Sequence, residues 1–294
     1  MNSMAYLGPR GTFCEEAALR YIDPTIWELV PYPTIEQVFA AVHRGEMDSG
    51  IVPIENSCEG SVNQTMDLLA YDYDLKLSGE IILPINHNLL ARHGIELKAI
   101  SRIISHPQAL AQCRRYLNAN FDGLDLVDVA STADAARRVA ESNDSWAAIG
   151  TTAAARAYGL DILNCDIQDR LNNETRFIIL SSECNQDIAN EDDTWLIKNT
   201  KTSLLLYLMN SPGALFRALE QFYLYEINLT KIESRPAKTR IGEYLFFIDI
   251  EGHRLDPRVK KALAGLKSIT HEIRVLGSYE SVSQGAANRD GCNG

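Results

Sequence analysis

The feature that most constrains this chain is a unit repeated near its start: a short apolar run, then a hydroxyl residue followed three positions later by Glu or Gln. AYL (5–7) precedes Thr12 and Glu15, WELV (27–30) precedes Thr34 and Gln37, and GIVPI (50–54) precedes Ser61 and Gln64. Each hydroxyl pair has the spacing of a capping box, which satisfies the free N–H groups of a helix start. Apolar runs this short read as buried strands. Strand, cap and helix three times over predict an α/β sheet, with helices over 13–22, 35–44 and from Val62 onward.

The alternation continues. LKLSGEIILPINHNLLA (75–91) reads as extended chain crossing between two units. RIISH (102–106) leads into a helix opened by Pro107, LDLVDVA (124–130) into one after Ser131 and Thr132, and WAAIG (146–150) into one after Thr151. RFIIL (176–180) closes the block. This predicts two α/β lobes in a domain over 1–181, lobe 1 taking about 1–80 and 160–181 and lobe 2 about 81–159, with a ligand site in the gap. Residues 182–201 read as an acidic linker, with five acids and no base between Glu183 and Asp193. Residues 202–280 then run strand, helix, strand, strand, helix, strand, the ferredoxin-like βαββαβ order. Residues 281–294 read as a flexible tail.

With 294 residues, two domains fit the length. The net charge of −11 argues against nucleic-acid binding, which needs a basic surface, but not against small anions held by local groups. The six cysteines, at 14, 58, 113, 165, 184 and 292, form no CxxC pair and read as free thiols. MNSMAYLGPRG has no signal-peptide pattern and no stretch reads as a membrane helix, so a cytoplasmic protein is expected. His87 and His93 lack metal-site spacing, so no metal is expected.

Chemistry is expected where strands meet helix N-termini, since free N–H groups there favour anions. Such junctions carry Thr12, Glu55, Asn56, Ser57, Ser105, His106, Gln108, Ser131 and Thr132. Asn173-Glu-Thr-Arg-Phe177 opens an apolar strand. The Arg176 fork suits a carboxylate and the Thr175 hydroxyl a substrate oxygen, unless Arg176 is spent on a nearby acid. In the C-terminal unit, Asn210, Ser211, Pro212, Gly213, Ala214 and Leu215 link the first strand to its helix, and Glu233, Ser234, Arg235 and Pro236 end the second strand.

These strings resemble one family, the prephenate dehydratases that carry a regulatory ACT domain. The resemblance rests on Gly8-Pro-Arg-Gly-Thr-Phe13, Val52-Pro-Ile-Glu-Asn-Ser57 with Glu59-Gly-Ser-Val62, Ser105-His-Pro-Gln-Ala109 and Asn173-Glu-Thr-Arg-Phe177. Gly213-Ala-Leu215, Glu233-Ser-Arg-Pro236 and Leu276-Gly-Ser-Tyr279 extend it over about residues 4–280. It implies a catalytic domain like the type II periplasmic binding proteins, and a reaction in which prephenate loses water and carbon dioxide to give phenylpyruvate in phenylalanine biosynthesis. It implies Thr175, Arg176 and Phe177 at the active site, with Arg176 gripping a carboxylate and Thr175 assisting the departing hydroxyl. Thr12, Glu55, Asn56, Ser57, Ser105 and Gln108 would hold the substrate, with no cofactor. L-phenylalanine would inhibit by binding between ACT domains at 210–215 and 233–236, in a homodimer or homotetramer. No chorismate mutase segment is seen ahead of this chain, so a monofunctional enzyme is expected. Arogenate dehydratase and a non-catalytic anion sensor are the alternatives. Two departures stand out: Cys14, where relatives usually have Ser or Thr, and Glu226, where many have Gly.

Overall fold

The computed structural model describes residues 2–182, 200–238 and 243–280. The predicted linker is outside the described residues from 183 to 199, and so is the tail over 281–294. The chain forms two compact units, one of residues up to Met66 with Ile82–Phe177, the other of Asp67–Ile81 with the described residues from Ile178 onward.

The first unit opens with β1 (Asn2–Leu7), α1 (Phe13–Tyr21), β2 (Trp27–Tyr32), α2 (Ile35–His43) and β3 (Ser49–Asn56). Thr12 and Thr34 cap α1 and α2 by accepting from the N–H groups of Glu15 and Gln37. Ser61 instead belongs to β4 (Gly60–Ser61), which pairs with β3, and α3 (Asn63–Asp67) starts beyond it. With β5 (Lys76–Pro84) and β11 (Glu174–Ser181) these strands form a sheet ordered β2-β1-β3-β11-β5, with β4 on β3.

A second sheet is ordered β10-β6-β9-β7-β8, from β6 (Asn88–Ala91), β7 (Arg102–Ser105), β8 (Asp125–Asp128), β9 (Trp146–Gly150) and β10 (Asp161–Asn164). Its helices are α4 (Pro107–Gln112), α5 (Arg114–Asn120), α6 (Thr132–Glu141) and α7 (Thr152–Tyr158). Neighbouring residues of one strand serve opposite cores. Leu89, Ile103 and Ile149 pack on one face, and Leu90, Ile104 and Ala148 on the other. A strand buried on both faces is apolar throughout, which is why these segments show no alternation. Gly11, at φ +84°, lets the loop after β1 lie on α7, where a Cβ would fall 2.8 Å from Ala154 Cα.

The two lobes are present. β5 pairs in the first sheet and β10 in the second, so the chain passes between the two sheets after Pro84 and again after Asn164. β10 is not legible in the sequence, because its four residues carry no pattern of their own.

The second unit holds β12 (Thr200–Leu208), α8 (Ala214–Leu224), β13 (Leu229–Pro236), β14 (Tyr244–Glu251), α9 (Pro257–Lys267) and β15 (Thr270–Glu280). The antiparallel order β13-β14-β12-β15 is the ferredoxin-like arrangement the sequence predicts. Leu204, Leu206, Ile248 and Ile250 pack with Phe222 and Leu266 of the two helices. Residues 67–81 group with this unit. A π-helical turn (Leu68–Asp72) follows α3. Lys201 Nζ donates to both Glu80 carboxylate oxygens at 2.8 and 3.1 Å, and Arg235 and Lys238 donate to Asp67 at 2.7 and 2.9 Å. Tyr71 donates its hydroxyl proton to the Pro236 carbonyl. Gly277 permits the approach of β15, since a Cβ would fall 2.0 Å from the Leu77 carbonyl oxygen.

Cys14, Cys58 and Cys113 are free, but Cys165 is disulfide-bonded. The expectation of free thiols fails there, because pairing depends on proximity in space and not on spacing in sequence. Among the described residues, no helix is long and apolar enough to cross a membrane.

Candidate active site

A cavity of about 550 Å3 lies within the first unit. The first sheet contributes Asn56, Thr175 and Phe177. The other sheet's side contributes His87, His106, Gln108 and Gln112, and the starts of α1 and α6 contribute Thr12, Phe13 and Thr132.

Strand alternation sorts the candidates. On the neighbouring strands β3 and β11, Asn56 and Thr175 face the cavity, as does Phe177 two residues on. Glu55 and Arg176 do not line it; Arg176 Nη1 lies 3.8 Å from Glu55 Oε2. Arg176 is 8% exposed. The expected grip of Arg176 on a substrate carboxylate therefore lacks geometry, because consecutive strand residues point to opposite faces.

Asn56 is the hub of the site. Its Nδ2 donates to Thr175 Oγ1 and to Asn173 Oδ1, both at 2.8 Å. Its Oδ1 accepts from the N–H groups of Cys58 and Glu59, which fixes the amide's direction. Since Thr175 Oγ1 accepts from Asn56, its own proton is free for another acceptor. Asn173 Nδ2 donates to Gln112 Oε1 at 3.2 Å, and His87 Nε2 lies 3.0 Å from the same oxygen. Gln112 Oε1 can only accept, so His87 carries its proton on Nε2. That leaves His87 Nδ1 and Gln112 Nε2 buried without partners. Burial lowers the His87 pKa, outweighing the Gln112 hydrogen bond, so the ring is neutral. Burial also pushes the Cys14 thiol up to about 12, so it is not a nucleophile at neutral pH.

The remaining candidates divide. Gln108 reaches the cavity. Thr12 lines it, but its hydroxyl donates to the Leu7 carbonyl and accepts from Glu15 N–H. Ser105 is fully buried and donates to the Ile149 carbonyl, away from the cavity. Ser57 also lies off it; its Oγ donates to the Asn172 carbonyl and accepts from Glu174 N–H, holding the start of β11. His106 caps α4 through Nδ1 and lines the cavity. The sequence reading missed His87, Gln112 and the role of Asn173. Gln112 was within reach of it, four residues after Gln108 and so on the same helical face. His87 sits between β5 and β6 in a segment with no pattern to mark it.

In the second unit, Asn210 joins Tyr207, Met209, Tyr244 and His271 around a cavity of about 300 Å3. Ser211, Pro212 and Gly213 form the exposed turn before α8, whose first turn holds Ala214 and Leu215. Glu233, Ser234, Arg235 and Pro236 lie on β13, at one edge of the sheet.

The prephenate dehydratase family model matches residues 4–185, and the ACT domain model matches residues 202–267. A prephenate dehydratase of Methanocaldococcus jannaschii is 40% identical over 95% of this chain and 98% of its own length. A bifunctional chorismate mutase/prephenate dehydratase of Aquifex aeolicus is 41% identical over 94% of this chain and 73% of its own length. The crystal structure of prephenate dehydratase from Arthrobacter aurescens in complex with L-Phe matches with a TM-score of 0.85 at 36% identity, covering 97% of this chain and 92% of that one. On these matches, and with a two-lobed α/β unit followed by a βαββαβ unit, the chain belongs to the prephenate dehydratase family.

Proposed function

We propose that the chain carries out its family's reaction, conversion of prephenate to phenylpyruvate, water and carbon dioxide in L-phenylalanine biosynthesis, with Thr175 as the group that serves the departing hydroxyl. The observation that carries this reading is the 2.8 Å bond from Asn56 Nδ2 to Thr175 Oγ1 on the cavity wall. Donation into Oγ1 withdraws electron density and aims the Thr175 proton outward, toward a substrate oxygen.

The steps balance. The ring-to-carboxylate bond breaks and its electron pair enters the ring. The ring C–O bond breaks with its pair going to the departing hydroxide, which takes a proton through Thr175 that solvent replaces. A dianion and one proton give a monoanion, carbon dioxide and water, driven by aromatisation. Phe13 and Phe177 line the cavity, and Phe177 is 1% exposed. A carboxylate held against them loses hydration, which favours its departure as neutral carbon dioxide. The N-termini of α1 and α6 offer N–H groups to the substrate's charge. Gln112 Nε2 offers a further donor. Arg176, with Glu55, holds β11 from the far face and acts as a positioning residue.

L-phenylalanine inhibits by binding between ACT units of a homodimer or homotetramer, against Asn210–Leu215 and Glu233–Pro236. The exposed turn before α8 and the edge position of β13 support this, as does the L-Phe complex of the Arthrobacter relative.

The test is phenylpyruvate absorbance with purified protein and prephenate, with and without L-Phe. Turnover suppressed by L-Phe supports both parts. Turnover indifferent to L-Phe removes the regulation. Turnover of arogenate alone moves the substrate to the aminated analogue, and no turnover of either overturns the reading.

A further inference from the structure

The cavity has a charge deficit. Its expected occupant is a dicarboxylate, yet no Lys or Arg is among the residues that line it, and Glu59 is. His87 is neutral. Helix N-termini supply only about half a charge each. One full positive charge is missing from the wall.

It is found next door. A second cavity of about 550 Å3 shares Glu59, Gln108, Gln112 and Asn173 with the first, and Arg170 lines it. Arg170 is exposed and makes no ion pair with any described residue. Its loop is held in place on both sides. Ile167 N–H donates to the His87 carbonyl at 2.8 Å, His87 N–H to Gln168 Oε1 at 2.8 Å, and Asp169 N–H to the Gln112 carbonyl at 2.6 Å. The adjacent acid is already engaged, with Asp169 Oδ1 accepting from Arg115 N–H at 3.0 Å. The backbone that fixes His87 and Gln112 in the site thus also sets the root of this arginine.

We propose that Arg170 receives one carboxylate of the dianionic substrate at the mouth of the cavity and so sets the preference for a dicarboxylate. The inference rests on the reaction given above. Arg170 belongs to substrate capture and not to the bond-breaking steps, which lie deeper, at Thr175. It favours a side-chain carboxylate with no ammonium beside it, because a neighbouring ammonium cancels the charge that Arg170 reads. The guanidinium fork matches a carboxylate with two parallel hydrogen bonds.

The experiment is steady-state kinetics on the full chain at low and physiological salt, with far-UV circular dichroism as the fold check. Arg170→Gln is expected to raise KM for prephenate roughly tenfold, with kcat within about twofold and a flatter dependence of kcat/KM on salt. Arg170→Lys, which keeps the charge, is expected to return KM to within about threefold of wild type. A Gln variant with wild-type KM and wild-type salt dependence overturns the assignment while leaving the reaction intact. A wild-type protein that does not turn over prephenate overturns the reaction, and this inference with it.

Discussion

At the residue scale, the catalysis we propose rests on two side chains on adjacent strands, Asn56 and Thr175. Asn56 donates to Thr175 Oγ1, so the hydroxyl's remaining proton points away from Asn56. Thr175→Ala should lower kcat by about 100-fold or more with KM within about threefold, while Thr175→Ser keeps much of the rate. Asn56→Ala should cost less in the Thr175→Ala background than alone, because the two act as a unit; additive losses in a double-mutant cycle would separate them. Glu226 gives a stability test away from the site. It lies at φ +52°, in the turn after α8. Glu226→Gly is expected to stabilise the protein by about 0.5–1 kcal/mol in urea denaturation, since left-handed backbone costs a Cβ-bearing residue more than Gly loses in chain entropy.

At the element scale, residues 67–81 are tied to their own unit by charge. Burial works to raise the Asp67 pKa, but hydrogen bonds and charge from Arg235 and Lys238 outweigh it and hold the carboxyl below its ordinary value. A depressed carboxyl stabilises the fold above its unfolded pKa and loses that contribution as pH falls through its folded value. Asp67→Asn should therefore destabilise by about 1 kcal/mol at pH 7, with the gap to wild type closing as pH drops below about 4. A gap of constant size would show that shape, not charge, matters there. Lys201 and Glu80 make the harsher case, because the Glu80 side chain is fully buried. Lys201→Met removes the positive charge paired with that carboxylate and should cost about 3 kcal/mol, read as a lowered urea midpoint.

At the scale of the whole molecule, repeated local patterns against long-range register decide what could be read in advance. Capping pairs at Thr12 and Thr34, the Pro107 and Ser131 helix starts and the βαββαβ order all act over a few residues, so the sequence carried them openly. The motif strings also marked Asn56, Gln108, Thr175 and Phe177, which the fold brings to one cavity. What remained hidden depends on which strand lies beside which. β10 joins the second sheet only by pairing with β6. Residues 67–81 join the second unit through partners more than a hundred positions away, such as Lys201 for Glu80 and Arg235 for Asp67. Arg176 stands beside Thr175 in sequence, yet one step along a strand turns a side chain to the other face. The Ser105 hydroxyl is a candidate by its chemistry, but the fold commits it to a backbone carbonyl. Sequence alone therefore determined the local elements and the chemical repertoire of this protein. Tertiary structure decided which of those groups face one another, because facing is set by strand register and loop closure between distant residues.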